Sequence, residues 1–176
     1  MKLVAINGGE SASSKTRKLI TPVIDSNGGT IIDLCDLSAD GLLGRTDDAA
    51  VADAVARAAS ADVLIVATPV YRATYTGAIK AFFDRFQPGA LKGTAVVLVA
   101  TAIVKEHYLS LDTGGRALVA SLEGWTVPTV VYATNDDFID GEPSRAILAT
   151  LGRALDEANT ITGGSTDAIS ADMRSL

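Results

Sequence analysis

The sequence contains few of the residues that build disulfides, metal sites or nucleic-acid surfaces. Its one cysteine, Cys35, excludes an internal disulfide and a cysteine-built metal site; we predict no metal site and expect Cys35 to be buried beside strand 2. Fifteen basic against 21 acidic residues give a net charge of -6, which argues against nucleic-acid binding. No apolar run approaches the roughly 18 residues that cross a bilayer, and the amino-terminal MKLVAINGGE lacks a signal-peptide pattern. We expect a cytoplasmic protein that binds neither nucleic acid nor membranes.

The composition instead indicates a globular protein with one substantial core. Of the 176 residues, 48% are hydrophobic and 20% are charged, a balance typical of folded proteins. A chain of this length usually forms one domain. We therefore predict a single domain over residues 1–160 and a carboxy-terminal tail over 161–176, which is either loose or docked on a partner subunit.

Five apolar runs rich in β-branched residues alternate with segments of helical spacing. The third and fourth runs are apolar on consecutive residues, as in strands covered on both faces. Alternation of strands and helices predicts right-handed crossovers and a parallel sheet. We predict a three-layer, doubly wound α/β fold with a five-stranded parallel sheet, flavodoxin-like, in the order 2-1-3-4-5. The predicted strands are Lys2–Asn7, Thr30–Leu34, Asp62–Thr68, Thr94–Thr101 and Thr126–Ala133.

Two prolines bear on the helices between these strands. Pro22 lies within the first helix and is expected to kink or end it. Pro143 is expected to open the last helix. Another helix carries an apolar stripe at i, i+3, i+4 and i+7, which can pack on the sheet or on a second subunit. The residues of this stripe are Ile79, Phe82, Phe83 and Phe86.

The strand order also predicts where a ligand binds. The chain reverses direction between strands 1 and 3, and ligands of such sheets bind there, outside the carboxyl ends of the strands. The loops after these strands span residues 8–13 and 69–76, so we expect them to form one crevice. The loop after strand 4, residues 102–107, is expected to close its far side.

The first loop has the composition of an anion site. Its sequence GESASSKT, residues 9–16, provides backbone N–H groups and hydroxyls at a helix start, where the helix dipole favours an anion. The alternative is that Ser13 merely caps the helix and that the other side chains are solvated. The candidate phosphate-binding residues are Gly9, Ser11, Ser13, Lys15 and Thr16.

This loop is close to the triphosphate-binding motif G-x-x-x-x-G-K-[ST], but Ser14 replaces the second glycine. A triphosphate site also needs an acidic residue after an apolar strand to hold Mg²⁺. The third and fourth apolar runs end in threonine and not in an acidic residue. Asp33 and Asp36 follow the second run, where acidic residues fit an exposed strand end as well as a Mg²⁺ site. The dinucleotide motif G-x-G-x-x-G is missing as well. A monophosphate therefore fits this loop better than the triphosphate of an ATPase or kinase.

The second loop belongs to the most specific stretch of the chain, ATPVYRATYTGAIKAFFDRF, residues 67–86. Pro69 stiffens the turn after strand 3, Tyr71 and Tyr75 offer aromatic faces, and Gly77 allows close approach. These features suit a flat ring lying against backbone, although ordinary packing would also use two tyrosines. On this stretch, and on LKG at 91–93, AT at 100–101 and His107, the chain resembles the NAD(P)H-dependent FMN reductase family. It looks closest to the branch that supplies reduced flavin to two-component alkanesulfonate-type monooxygenases.

The resemblance implies FMN as the flavin, NADPH or NADH as the hydride donor, and no catalytic side chain. The first loop would bind the FMN phosphate. The chain lacks the Gly-Ser-x-Arg pattern of relatives in this loop, where Lys15 can supply the charge, and Ala102 and Ile103 stand where relatives often carry glycines. Residues expected to flank the ring or meet the nicotinamide nucleotide are Pro69, Val70, Tyr71, Arg72, Thr101, Ala102 and Ile103.

Several functional alternatives stay open from the sequence. A related enzyme would keep FMN bound and reduce quinones, azo compounds or metal oxyanions. A different class is a flavin-binding electron carrier or a regulator without nicotinamide turnover. His107 can contact flavin or nicotinamide, or can cap a helix. The resemblance also implies a homodimer or homotetramer and a flavin-dependent monooxygenase as a partner.

Overall fold

A parallel sheet forms the centre of the protein, which a computed structural model describes over residues 1–163. The first four strands are β1 (Leu3–Asn7), β2 (Thr30–Asp33), β3 (Val63–Pro69) and β4 (Ala95–Thr101). They lie in the order β2-β1-β3-β4, with the fifth strand position on the other side of β4, and this confirms the predicted order 2-1-3-4-5. All seven residues of β4 are buried, as expected of a central strand covered on both faces.

The fifth strand position is divided, contrary to the prediction of one strand over Thr126–Ala133. Its two pieces, β5 (Trp125–Thr126) and β6 (Val131–Ala133), both pair with β4. Pro128 lies between them and has no N–H group to donate to the neighbouring strand. Residues 127–130 therefore belong to neither piece, although the Val127 N–H still donates to the Val96 carbonyl at 3.0 Å. Trp125 at the start of β5 is half exposed.

Helices cover both faces of the sheet and complete the three predicted layers. Apolar residues of α3 (Ala49–Ala59), α4 (Gly77–Phe83) and α5 (Arg116–Ala120) form a core on one face. Residues of α1 (Lys15–Ser26) and α6 (Arg145–Gly163) form a core on the other. The short elements are α2 (Ala39–Leu42), 3₁₀ turns at Leu34–Asp36, Lys105–His107 and Asn135–Asp137, and a π-helical turn at Leu111–Gly115.

The phenylalanine-rich stripe serves the protein's own core. The rings of Phe82, Phe83 and Phe86 are buried and pack against one another, with centroids 5.4 Å apart in each of two pairs. Phe86 lies beyond the end of α4, which ends at Phe83. These rings therefore do not present an apolar surface to a second subunit.

Two expectations about single residues were wrong, and a third can hold only as a kink. Pro22, expected to kink or end the first helix, lies inside α1 and does not end it. Pro143 belongs to β8 (Glu142–Pro143), which pairs with β7 (Phe138–Ile139), so Ser144 and not Pro143 precedes the last helix. Cys35 is exposed, because β2 is an edge strand and the turn after it faces solvent.

The last helix extends into the segment predicted as a tail. It continues through Gly163, and Ile161 packs against the core. Residues 164–176, the rest of the predicted tail 161–176, lie outside the described residues. Among residues 1–163, no helix is both long enough and apolar enough to span a bilayer.

Candidate functional site

Three loops at the carboxyl ends of β1, β3 and β4 enclose a cavity of about 500 Å³. This is the crevice expected from the strand order. Of the twelve predicted site residues, eleven line it, and they include the apolar side chains beside the hydroxyl-rich loop. The eleven are Gly9, Ser11, Lys15, Thr16, Pro69, Val70, Tyr71, Arg72, Thr101, Ala102 and Ile103.

Ser13 is the predicted residue that the structure does not bring to the cavity wall. Its hydroxyl lies 3.2 Å from that of Ser11, on the exposed side of the loop. The cap of α1 is Ser14, whose Oγ accepts a hydrogen bond from the backbone N–H of Arg17 at 3.2 Å. The alternative prediction that Ser13 caps the helix was therefore wrong by one position.

Further residues on the cavity wall were not among the predicted site residues. Asn135 is the most informative of them, because it follows β6 and so obeys the same rule that placed the other loops at the carboxyl ends of strands. His107, considered for either site contact or capping, also lines the cavity. The full set is Glu10, Ser14, Val104, His107 and Asn135.

Ser14 also explains why residue 9 is a glycine. A Cβ atom at Gly9 would clash with the Ser14 side chain and lie 3.0 Å from Oδ1 of Asn7. Ser14, which replaces the second glycine of the triphosphate-binding motif, therefore fills the space inside the first loop. The first-turn N–H groups of Lys15 and Thr16 have no partners within α1 and remain available to an anion.

The Lys15 ammonium is held at the edge of the cavity. Its Nζ donates to Oδ1 of Asn135 at 2.7 Å and lies 5.3 Å from the centroid of the Phe138 ring. Asn135 is itself held in a turn, in which the Thr134 and Asp137 side chains and backbones bond reciprocally. This arrangement keeps a cation beside the first loop.

The second loop is a tight turn at the cavity mouth. Tyr71 and Thr74 exchange backbone hydrogen bonds at 3.0 and 3.2 Å, while Arg72 and Ala73 between them have φ of 53° and 62°. The Tyr71 ring is half exposed. Burial, followed by the nearby Glu10 carboxylate, raises the pKa of the Tyr71 phenol above its usual value, so this phenol stays neutral near pH 7.

The third loop is tied to the neighbouring strands at several points. The Ala102 N–H donates to the Ala133 carbonyl at 2.9 Å, and the Tyr132 hydroxyl donates to the Val104 carbonyl at 2.7 Å. Burial and the Glu106 carboxylate raise the pKa of Tyr132, which keeps that hydroxyl a donor. The loop is therefore fixed at its base while Ile103 extends into solvent.

Comparison with known proteins identifies the family. The sequence profile described as NADPH-dependent FMN reductase matches residues 1–138. The chain belongs to the NADPH-dependent FMN reductase family. It is 35% identical to the "FMN reductase (NADPH)" of Pseudomonas aeruginosa over 179 positions, which cover 94% of this chain and 95% of that protein.

Other members of the family are nearly as similar. The chain is 34% identical to the "NADH-dependent FMN reductase SfnF" of Pseudomonas fluorescens, covering 93% of this chain and 92% of the relative. Among solved structures, it matches the apo form of the NADH:FMN oxidoreductase EMOB with a TM-score of 0.77 and 29% identity, covering 95% and 91% of the two chains. Members of the FMN reductase family that resemble this chain thus include both NADPH- and NADH-dependent enzymes.

The residues around the cavity fit the flavin of this family. The first loop and the start of α1 offer hydroxyls, backbone N–H groups and a cation, which suit a phosphate monoester. Pro69, Val70 and Ile103 provide apolar surface beside them. A volume of about 500 Å³ is in the range typical of cofactor pockets.

Proposed function

We propose that this cavity binds FMN and a nicotinamide coenzyme, and that the protein reduces FMN with NADPH or NADH. The observation that carries the proposal is the convergence of two unlike surfaces on one cavity. An anion-binding helix start lies at one end, and the apolar side chains of the second and third loops lie at the other. A phosphorylated aromatic cofactor needs both surfaces.

At the phosphate end, the protein supplies donors that are fixed in advance. Ser11, Lys15 and Thr16 line the cavity there, and the dipole of α1 favours the negative charge. Lys15 contributes as a point charge, without the paired donors of an arginine. Ser13, the remaining predicted residue, would act only through its contact with Ser11.

At the ring end, the protein supplies flat and apolar walls. Pro69, Val70 and Tyr71 line the cavity beside Thr101, Ala102 and Ile103, which follow the neighbouring strand. The two walls are joined by the Val70 N–H, which donates to the Thr101 carbonyl at 2.8 Å. A ring whose edges these walls bound would keep one face for the nicotinamide. Stacking the two rings in reactive geometry can lower the activation free energy by several kcal/mol.

The redox chemistry would be supplied by the cofactor, since a bound flavin is able to accept a hydride from a nicotinamide. The protein is not required to supply a strong acid or base for this step. Neither role is assigned to Tyr71, which stays protonated near neutral pH, or to His107, the single histidine of the sequence. The backbone donors and the dipole at the start of α1 would stabilise the negative charge of the flavin's phosphate.

Arg72 is proposed to contact the nicotinamide nucleotide. It lines the cavity at its mouth, on the tip of the second loop. A guanidinium there can bind the extra phosphate of NADPH with paired donors.

We propose that the reduced flavin is released to a flavin-dependent monooxygenase. The walls beside the ring are open to solvent, since Tyr71 is 48% and Ile103 80% exposed, and this supports exchange of flavin. The second candidate is an enzyme that retains FMN and reduces quinones, azo compounds or metal oxyanions at the same open face.

The protein is proposed to act in the cytoplasm, where nicotinamide coenzymes are supplied, as a homodimer or homotetramer. Exposed apolar side chains next to the cavity support association. They are Ile103, Val104, Tyr108 and Leu109. Light scattering of the purified protein measures the number of subunits.

Oxidation of NADPH and of NADH is the direct test of the activity. The purified protein is mixed with either coenzyme, with and without added FMN, and the nicotinamide absorbance is followed in air. Turnover that depends on added FMN supports release of reduced flavin, whereas turnover by a yellow protein without added flavin supports the second candidate. Flavin binding without oxidation of either coenzyme would contradict both.

A further inference from the structure

Asn7 connects the start of the first loop to a neighbouring strand. It is the last residue of β1, and its side chain is completely buried. Its Oδ1 accepts a hydrogen bond from the backbone N–H of Gly9 at 3.0 Å, and its Nδ2 donates to Oδ1 of Asp33 at 2.8 Å. Both ends of the amide are therefore in use.

Asp33 extends this connection to the helix after the loop. It stands opposite Asn7 in the pairing of β1 with β2. Its two carboxylate oxygens accept from Nε of Arg17 at 3.1 and 3.0 Å, and Arg17 belongs to the first turn of α1. One carboxylate thus ties the entry of the loop, through Asn7, to its exit.

The same contacts adjust the charge beside the loop. The guanidinium of Arg17 neutralises the Asp33 carboxylate, which would otherwise repel an anion bound nearby. Arg17 pairs with Asp33 and does not line the cavity, so Lys15 provides the positive charge on the cavity wall beside the first loop.

We infer that Asn7 and Asp33 are positioning residues that hold residues 8–14 in the anion-binding shape before a ligand arrives. The inference rests on the proposed function, since it takes the FMN phosphate as the ligand of this loop. Neither side chain lines the cavity, so each acts through the Gly9 backbone or Arg17. Donors that are already ordered bind more tightly than donors that must be ordered on binding. Asn7 and Asp33 are therefore expected to raise affinity only for ligands that carry the phosphate.

The test compares FMN with riboflavin, which differs by the phosphate alone. Each flavin is titrated with the full-length protein, and binding is read from quenching of flavin fluorescence. Wild-type protein is expected to prefer FMN. Asn7→Ala removes the acceptor of the Gly9 N–H, and the FMN-to-riboflavin affinity ratio is expected to fall about tenfold while riboflavin affinity stays within about twofold. Asn7→Ser offers a hydroxyl acceptor, so its ratio is expected to fall only about threefold.

Thr94→Ala is the matched control. The Thr94 side chain is buried, and it donates to the backbone carbonyl of Ala61 at 3.1 Å. This bond lies just before β4, at the opposite end of the strand from the cavity. Its loss is expected to lower the melting temperature as Asn7→Ala does, with the FMN-to-riboflavin ratio unchanged.

The outcomes separate the inference from the proposed function. If Asn7→Ala keeps the wild-type FMN-to-riboflavin affinity ratio, the inference is overturned while the FMN site stands. The same holds if the ratio falls as much in the Thr94→Ala control as in Asn7→Ala. Wild-type protein that binds FMN and riboflavin equally overturns the assignment of the loop to the phosphate. If Asn7→Ala fails to fold by circular dichroism, Asn7→Ser carries the comparison, and an unchanged ratio in that variant overturns the inference.

Discussion

The hydroxyl groups of Thr16 and Thr101 lie 2.6 Å apart and are buried. Thr16 is in the first turn of α1, directly after the first loop, and Thr101 ends β4, directly before the third loop. This hydrogen bond fixes the distance between the two loops that bound the cavity. The ends of the proposed flavin site therefore share one buried anchor.

Replacing either threonine by valine is expected to destabilise the protein without ligand. Each single substitution leaves one buried hydroxyl without its partner, which costs about 1–3 kcal/mol in the free energy of unfolding. The double variant T16V/T101V removes both groups and is expected to cost no more than the worse single variant. Urea unfolding of the wild type, the two single variants and the double variant measures this double-mutant cycle. Additive losses would show that the two hydroxyls are not coupled.

Gly9→Ala is expected to weaken FMN binding about tenfold, because the added methyl group clashes with Ser14 and the loop must shift. Ser14→Gly in the same chain removes that clash, so the double variant is expected to recover most of the affinity. Fluorescence titration of FMN measures both. Ser14→Gly alone is the control: it completes the G-x-x-x-x-G-K-T motif, yet we expect no ATP hydrolysis. No recovery in the double variant would contradict the proposed packing of Ser14.

Lys15→Gln is expected to lower FMN affinity about tenfold and to leave riboflavin affinity unchanged, because the lost interaction is with the phosphate alone. Lys15→Arg is expected to retain the affinity. Lys18→Gln is the matched control, since Lys18 is also on α1 but pairs with Glu142 at 2.7 Å, away from the cavity. Equal losses for FMN and riboflavin in Lys15→Gln would place the phosphate elsewhere.

Tyr132→Phe is expected to speed release of flavin about threefold, because the third loop loses its bond from the Tyr132 hydroxyl to Val104. Stopped-flow fluorescence measures the dissociation rate, and the melting temperature should change little. Tyr108→Phe is the control, an exposed tyrosine in the segment that follows the third loop. Equal rates in wild type and Tyr132→Phe would show that this bond does not hold the wall of the site.

Glu157 gives the stability a predictable dependence on pH. Its carboxylate accepts from Oγ1 and N of Thr129 at 2.6 and 2.9 Å, and these bonds, chiefly the one from the hydroxyl, hold its pKa below the usual value. A lowered pKa stabilises the folded state above the unfolded-state pKa, and that contribution is lost as the pH falls through the folded-state pKa. Glu157→Gln is expected to cost about 1 kcal/mol at pH 7 and progressively less below about pH 4.

Urea unfolding of this variant over a range of pH measures the effect, with Asp156→Asn, an exposed neighbour on α6, as the control. A difference between wild type and Glu157→Gln that stays constant from pH 7 to about pH 3 would contradict the role given to the carboxylate.

The parallel sheet and the position of the cavity followed from the sequence, because consecutive apolar residues mark buried strands and strand order fixes where their loops meet. The division of the fifth strand did not. The apolar run continues on both sides of Pro128. The carbonyls of Val127 and Pro128 accept hydrogen bonds from the guanidinium of Arg116, which belongs to α5. Such a contact depends on tertiary packing and leaves no local signal.

Errors at single residues have similarly specific causes. Ser13 and Ser14 are equally good caps by residue type, and their roles differ because Ser14 packs against Gly9. Cys35 was misplaced although the predicted strand order already put strand 2 at the edge of the sheet, because Cys35 lies in the turn after β2 and not beside that strand. Asn135 was missed for another reason: the predicted strand end, Ala133, is also the end of β6, but only the loops after strands 1, 3 and 4 were assigned to the crevice.

A crystal structure of the complex with FMN tests the central claim most directly. The phosphate is expected within hydrogen-bonding distance of the Ser11 hydroxyl and of the backbone N–H groups at the start of α1. The ring is expected between Tyr71 and the loop that contains Ile103. A phosphate bound elsewhere, or a cavity without flavin at saturating FMN, would contradict the account.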